Sequence, residues 1–122
     1  MVNLLEWAVS IPTVIFLVMV LVCVIAEVSD FVFKIHSNKY YSVFHFVGGG
    51  LTYLLILSIT KNSCISLFGV LVVGVLWEIH EWLLWKFILK KKLYKPGEKD
   101  TLNDLVMDIL GAFIFYVLEA IR

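Results

Sequence analysis

The sequence predicts an all-α integral membrane protein, a four-helix bundle of transmembrane helices forming a single domain over residues 1–122. Three observations lead there. The chain is 61% hydrophobic with a mean hydropathy of +0.97, well above the usual range of soluble domains. Its apolar residues gather into four runs, each close to the ~20 residues a helix needs to cross about 30 Å of hydrocarbon. Charged residues make up 16% of the chain and collect towards the ends of those runs.

The first span is expected over about residues 11–33 (IPTVIFLVMVLVCVIAEVSDFVF). Ser10 would be its N-cap, and Pro12 is tolerated in the first turn, where its missing N–H costs nothing. This segment lacks a basic leader and an A-x-A-like exit, so it reads as a retained span, not a cleaved signal. The second span covers about residues 40–60 (YYSVFHFVGGGLTYLLILSIT), and its run Gly48-Gly49-Gly50 suits close approach of another helix. The third covers about 63–89, with Ser63 as its cap, and the fourth about 101–121. The polar stretch KKKLYKPGEKD separates the last two, with Pro96-Gly97 as the turn signal.

Orientation follows from the cations. Lys34 and Lys39 follow the first span, and Lys86, Lys90, Lys91, Lys92, Lys95 and Lys99 follow or end the third. Lys61 and Arg122 stand on the other side. The positive-inside rule therefore places the first and third loops in the cytoplasm and both termini outside, in a cell membrane. Ten cations balance ten anions, so charge gives no reason to expect a nucleic acid partner. The partner that composition demands is the lipid bilayer. Cys23 and Cys64 differ in depth by several turns, so no disulfide is expected, and each reads as a small, soft interior side chain.

The stretch VLWEIHEWLLW, residues 75–85, sets Glu78, His80 and Glu81 among tryptophans and leucines. Placed by depth, it belongs to a layer. Glu27 and Asp30 end the first span, His45 opens the second, Glu78 and Glu81 near the end of the third, and Asp100, Asp104 and Asp108 open the fourth. All fall one to two turns inside the same cytoplasmic boundary, and nothing comparable is expected in the outer half. Helical phase, about 100° per residue, lines them up further. Glu78 and Glu81 share a face that Gly74, Trp82 and Trp85 extend, while His80 projects away from it. Asp100, Asp104, Asp108 and Gly111 form one stripe; Tyr41, His45, Gly49 and Thr52 form another; Cys23, Glu27, Asp30 and Lys34 a third. In lipid such stripes must turn inward.

Structural explanations compete for some of these residues. Asp100 reads equally as an N-cap, and Thr101 with Asp104 resembles a capping box. Glu27 and Asp30 have Lys34 within reach at the interface. Trp77, Trp82 and Trp85 fit an aromatic belt, and Lys90–Lys92 fit cytoplasmic anchors. Glu78, Glu81, Asp108 and His45 have no such explanation. A carboxylate in hydrocarbon costs about 2.5–3.5 kcal/mol even on lenient scales, and no Lys or Arg lies at their depth. Either some are protonated, or a bound cation compensates them.

The order of these residues resembles a family. Tyr41-Ser42-Val43-Phe44-His45-Phe46, Trp77-Glu78-Ile79-His80-Glu81, and the run from Asp100-Thr101 through Asp104 and Asp108 to Gly111-Ala112 are similar to the YjdF-type family of small bacterial and archaeal membrane proteins, itself distantly similar to VanZ-like proteins. The resemblance spans roughly residues 27–116, and its third motif is the most specific. It implies that His45, Glu78, Glu81, Asp104 and Asp108 belong to a recurring constellation. Family members usually show further spans and an Asp-Arg pair between the Tyr and the His; here Tyr41-Ser42 stands near that place. The resemblance supplies no activity.

The leading functional expectation is metal-dependent chemistry on a lipid or lipid-linked substrate at a cytoplasm-facing site. His45, Glu78, Glu81, Asp104 and Asp108 would be ligands of a divalent metal, with Glu78, Glu81 or Asp108 as the catalytic carboxylate. Oxygen-rich ligation favours Mg, Mn, Fe or Zn. Glu78 and Glu81 make E-x-x-E, not the E-x-x-H of ferritin-like di-iron sites. The alternative is a cation- or proton-coupled transporter or channel subunit, which would need a homo-oligomer for a path, or a structural subunit whose polar layer joins helices. The sequence leaves enzyme and transporter both open.

Overall fold

The computed structural model describes residues 12–33, 38–84, 86–87 and 98–121, with backbone alone at 30–31, 38–39 and 98–100. Four helices carry these residues: α1 (Pro12–Phe31), α2 (Asn38–Thr60), α3 (Ser63–Leu84) and α4 (Glu98–Ala120). No strand occurs among the described residues. All four helices are long and apolar enough to cross a membrane. At 1.5 Å per residue, each is about 30 Å long or slightly more. The exposed surface is aliphatic and aromatic, including Leu17 and Leu76 at 60% and 58% exposure. Such a surface would aggregate in water and is matched to lipid.

Element boundaries explain several residues. Pro12 opens α1 in the position where proline is tolerated. α4 begins at Glu98, two residues before the expected cap, so Asp100 lies in its first turn and the Thr101/Asp104 capping box does not form. The cap of α3 is Asn62, not Ser63: the Asn62 Oδ1 accepts from the Ile65 N–H at 3.0 Å. Lys61, with a φ of 57°, takes the left-handed conformation that turns the chain between α2 and α3. Asn62 is therefore the first residue outside the turn that can cap, which frees the Ser63 hydroxyl for another helix. α3 stays α-helical to Leu84, with Lys86 and Phe87 in a wider, π-helical turn. The Lys86 ammonium sits over Trp82 at 4.7 Å, which places Trp82 with the interfacial cations and not in the interior. Ser10, Lys34, Trp85, residues 88–97 including Lys90–Lys92 and Pro96-Gly97, and Arg122 lie outside the described residues.

The helices pack around α2, which contacts all three others, and α3 also packs on α4. α2 and α4 run in the same direction: His45 meets Asp108 near their starts, and Tyr53 meets Glu119 towards their ends. Glycine makes this contact close. A Cβ on Gly49 would run into the carbonyl of Asp108, and one on Gly111 into the carbonyl of Phe46, so two backbones touch where side chains normally intervene. The core lies along this seam, with Tyr53, Leu54, Leu57 and Ala112 buried and Val70 of α3 closing it. α1 is peripheral. Its C-terminal half is tied to α2 through Ser29, whose hydroxyl donates to the Ile25 carbonyl at 2.7 Å and accepts from the Tyr40 hydroxyl at 2.8 Å. Cys23 and Cys64 are free and exposed rather than interior.

Candidate functional site

The stripe on α2 brings His45 to the seam with α4, opposite the stripe of Asp104 and Asp108. The imidazole bridges both. Its Nδ1 lies 3.0 Å from Asp108 Oδ1, a bond in which Nδ1–H donates, and its Nε2 lies 3.3 Å from Asp104 Oδ2. The i, i+4 spacing of the two aspartates matches the two edges of one ring. A neutral ring that donates from Nδ1 presents a lone pair at Nε2, facing the carboxylate of Asp104. Two acceptors do not hold such a distance unaided. The contact calls for a proton, on Nε2 or on the Asp104 carboxyl, or for a cation held by both.

Glu78 approaches from α3. It is 8% exposed, and neither carboxylate oxygen has a hydrogen-bond partner among the described residues. Thr101 comes near it without reaching hydrogen-bond geometry. One ligand atom each from His45, Glu78 and Asp104 lies within 4.8 Å of the other two. Asp108 is also 8% exposed, and its second oxygen, Oδ2, lacks a partner. That oxygen lies against Gly74, where a Cβ would come within 2.7 Å of it. Gly74 therefore leaves room for the carboxylate between α3 and α4.

Glu81 stands one turn beyond Glu78 and is half-buried. Its Oε1 accepts from the indole N–H of Trp77 at 3.0 Å. It faces a cleft of about 150 Å³, bounded by α1, α2, α3 and Asp108 of α4. His45 borders both this cleft and the Glu78/Asp104 cluster. All four residues of the α2 stripe, Tyr41, His45, Gly49 and Thr52, line the cleft, as do Cys23 and Glu27 of the α1 stripe. The structure thus joins His45, Glu78 and Asp104 in one cluster, puts Asp108 behind the ring and sets Glu81 across the cleft. The Asp30 and Asp100 side chains lie outside the described residues.

Two arrangements were missed in the sequence. Glu27 meets His80 of α3, Oε1 to Nε2 at 3.7 Å, on the outer side of the cleft. At the other end of the bundle, Glu119 Oε2 accepts from the hydroxyls of Tyr53 at 2.8 Å and Ser63 at 3.0 Å. The outer half is therefore not without a polar cluster. Extending two stripes would have found it: Tyr53 lies four residues beyond Gly49, and Glu119 eight beyond Gly111.

No curated protein and no solved structure matches the chain. A family model described as a predicted membrane protein (DUF2238) matches residues 3–122. The names YjdF and VanZ form no part of that description, so the resemblance is met at the level of a membrane family. With four membrane-length helices and a match over nearly its whole length, the chain belongs to the DUF2238 family of predicted membrane proteins.

Proposed function

We propose that the cluster of His45, Glu78 and Asp104 holds a divalent metal and serves chemistry on a lipid or lipid-linked substrate. The observation that carries this reading is Glu78: a buried carboxylate with two unpartnered oxygens, within ligand distance of an imidazole and a second carboxylate. Without a cation, the three acids Glu78, Asp104 and Asp108 would repel across an apolar interior. A cation held by Glu78, Asp104 and His45 Nε2 would balance two of those charges and resolve the Nε2–Asp104 contact. Asp108, accepting from Nδ1–H, would then fix the tautomer and tilt of the ring, as carboxylates behind metal-bound histidines do. One nitrogen and several oxygens suit Mg, Mn, Fe or Zn.

A bound ion would supply Lewis acidity at a point in contact with the cleft. Glu81, which lines that cleft outside the cluster and has one oxygen held by Trp77, would take or return a proton. The cytoplasmic orientation expected from the lysines would open this layer to the inner leaflet. The second reading, a proton- or cation-coupled transporter, gains from Glu119, which sets a carboxylate at the opposite end of the bundle.

The test is thermal unfolding of purified protein in detergent. Mn, Zn or Mg should raise the midpoint and a chelator should lower it, by about 2.7 kcal/mol in stability at a hundredfold excess over Kd. Glu78→Gln should abolish the response. In chelator, the same variant should be more stable than the parent, because it removes an uncompensated buried charge. Absence of any metal response, with Glu78→Gln still stabilised, would instead select the proton relay.

A further inference from the structure

The cleft beside the cluster has a chemistry of its own. Glu27 and Glu81 line it from α1 and α3, and no Lys or Arg is among its described lining residues. Tyr41, Phe44 and Trp77 line the same cleft, and Met19, Val22 and Ala26 of α1 provide an aliphatic wall. The Asp108 carboxylate, 8% exposed and with Oδ2 unpartnered, borders it from α4. Aromatic faces beside carboxylates recognise an organic cation, whose charge the ring quadrupoles and acids share. An anion would meet the carboxylates of Glu27 and Glu81, with the His45 ring, already paired with Asp108, as the basic group on the cleft wall. A neutral apolar chain would leave Glu81 with the indole N–H of Trp77 as its polar contact and no counter-charge in the cleft.

We infer that this cleft binds a lipophilic cation, a protonated or quaternary amine that carries an apolar tail. The head would lie between Glu81 and the aromatic residues, and the tail along the α1 wall. His80 balances Glu27 only from outside, at 3.7 Å across an exposed contact, which leaves Glu81 as the principal counter-charge. The inference goes beyond the metal reading and does not depend on it. A divalent ion on His45, Glu78 and Asp104 would offset the charges of Glu78 and Asp104 and leave those of the cleft in place. The cleft borders the cluster at His45 and Asp108, so its ligand would be the substrate of an enzyme or the cargo of a transporter.

Titration calorimetry of the full chain in maltoside micelles tests it, with octyltrimethylammonium as the probe. Octyl sulfate and octyl glucoside, added at the same micellar mole fraction, are the anionic and neutral comparisons. The cation should bind saturably at one site, at least tenfold tighter than either. The cation should still bind saturably in chelator, which separates this result from failure of the metal site. The Glu27→Gln/Glu81→Gln double variant should weaken the cation at least tenfold. Saturable binding of octyl sulfate at equal strength, no saturable binding of the cation, or a folded double variant that keeps its affinity within twofold would each overturn the inference. Should the double variant not fold, the head-group comparison on the parent protein decides alone.

Discussion

Asp108 takes the Nδ1 edge of His45 at 3.0 Å and turns the other ring nitrogen towards Asp104 and Glu78. Position and tautomer of the imidazole are thus set from behind the cluster. Asp108→Asn preserves shape but weakens the acceptor. It should lower metal affinity about 10- to 100-fold, the usual effect of losing a carboxylate behind a metal-bound histidine, while Glu78→Gln abolishes the response altogether. Metal titrations of the two variants side by side would show the difference.

The three consecutive glycines of α2 should not behave alike. Gly49→Ala forces a methyl into the Asp108 carbonyl, and overpacking of this kind costs about 1–3 kcal/mol. Gly48 has nothing within 4 Å of its Cβ position, so Gly48→Ala should be neutral, or stabilising by up to about 1 kcal/mol through helix propensity. Unfolding in mixed micelles would rank them. A Gly49→Ala variant as stable as the parent would mean that α2 and α4 are not in backbone contact.

Tyr53 is fully buried, and its hydroxyl donates to the Glu119 carboxylate across α2 and α4. Tyr53→Phe should cost about 1.5–3 kcal/mol, the range for hydrogen bonds to charged groups. Ser63 would still hold Glu119. Because this cluster is at the other end of the bundle, the metal response should survive the substitution. Its loss would tie the two ends together and favour the transporter reading.

The orientation predicted from the lysine asymmetry is open to direct labelling. In a background lacking Cys23 and Cys64, a cysteine at Lys92 should resist an impermeant reagent in intact cells, while one at Arg122 reacts. The reverse pattern would invert the protein.

Spans and polar layer were legible because lipid leaves few choices: apolar runs must be helical, and intramembrane acids must face inward. That is why the phases of His45, Asp104 and Asp108 led to one seam. Which helices would touch was not legible, since a stripe says only that it faces protein. The parallel α2–α4 contact depends on Gly49 meeting Asp108 and Gly111 meeting Phe46, a register that no single helix encodes. The α3 cap went to Asn62 because Lys61 adopts a left-handed conformation that its side chain does not signal. The Glu119 cluster was not legible because Tyr53 and Ser63 are ordinary residues in sequence and become donors to it only across helices.

The peripheral position of α1 bears on how any apolar ligand would arrive. One wall of the cleft is a helix held mainly by α2, reaching α3 at Glu27 and His80, so the short route in is sideways from the bilayer. A ligand taking it is drawn from a two-dimensional pool, whose density follows its partition coefficient. Each added methylene raises that coefficient by about 0.8 kcal/mol, close to fourfold. Potency referred to the aqueous phase would climb with tail length even for a cleft indifferent to the tail, and would level off only when expressed per lipid.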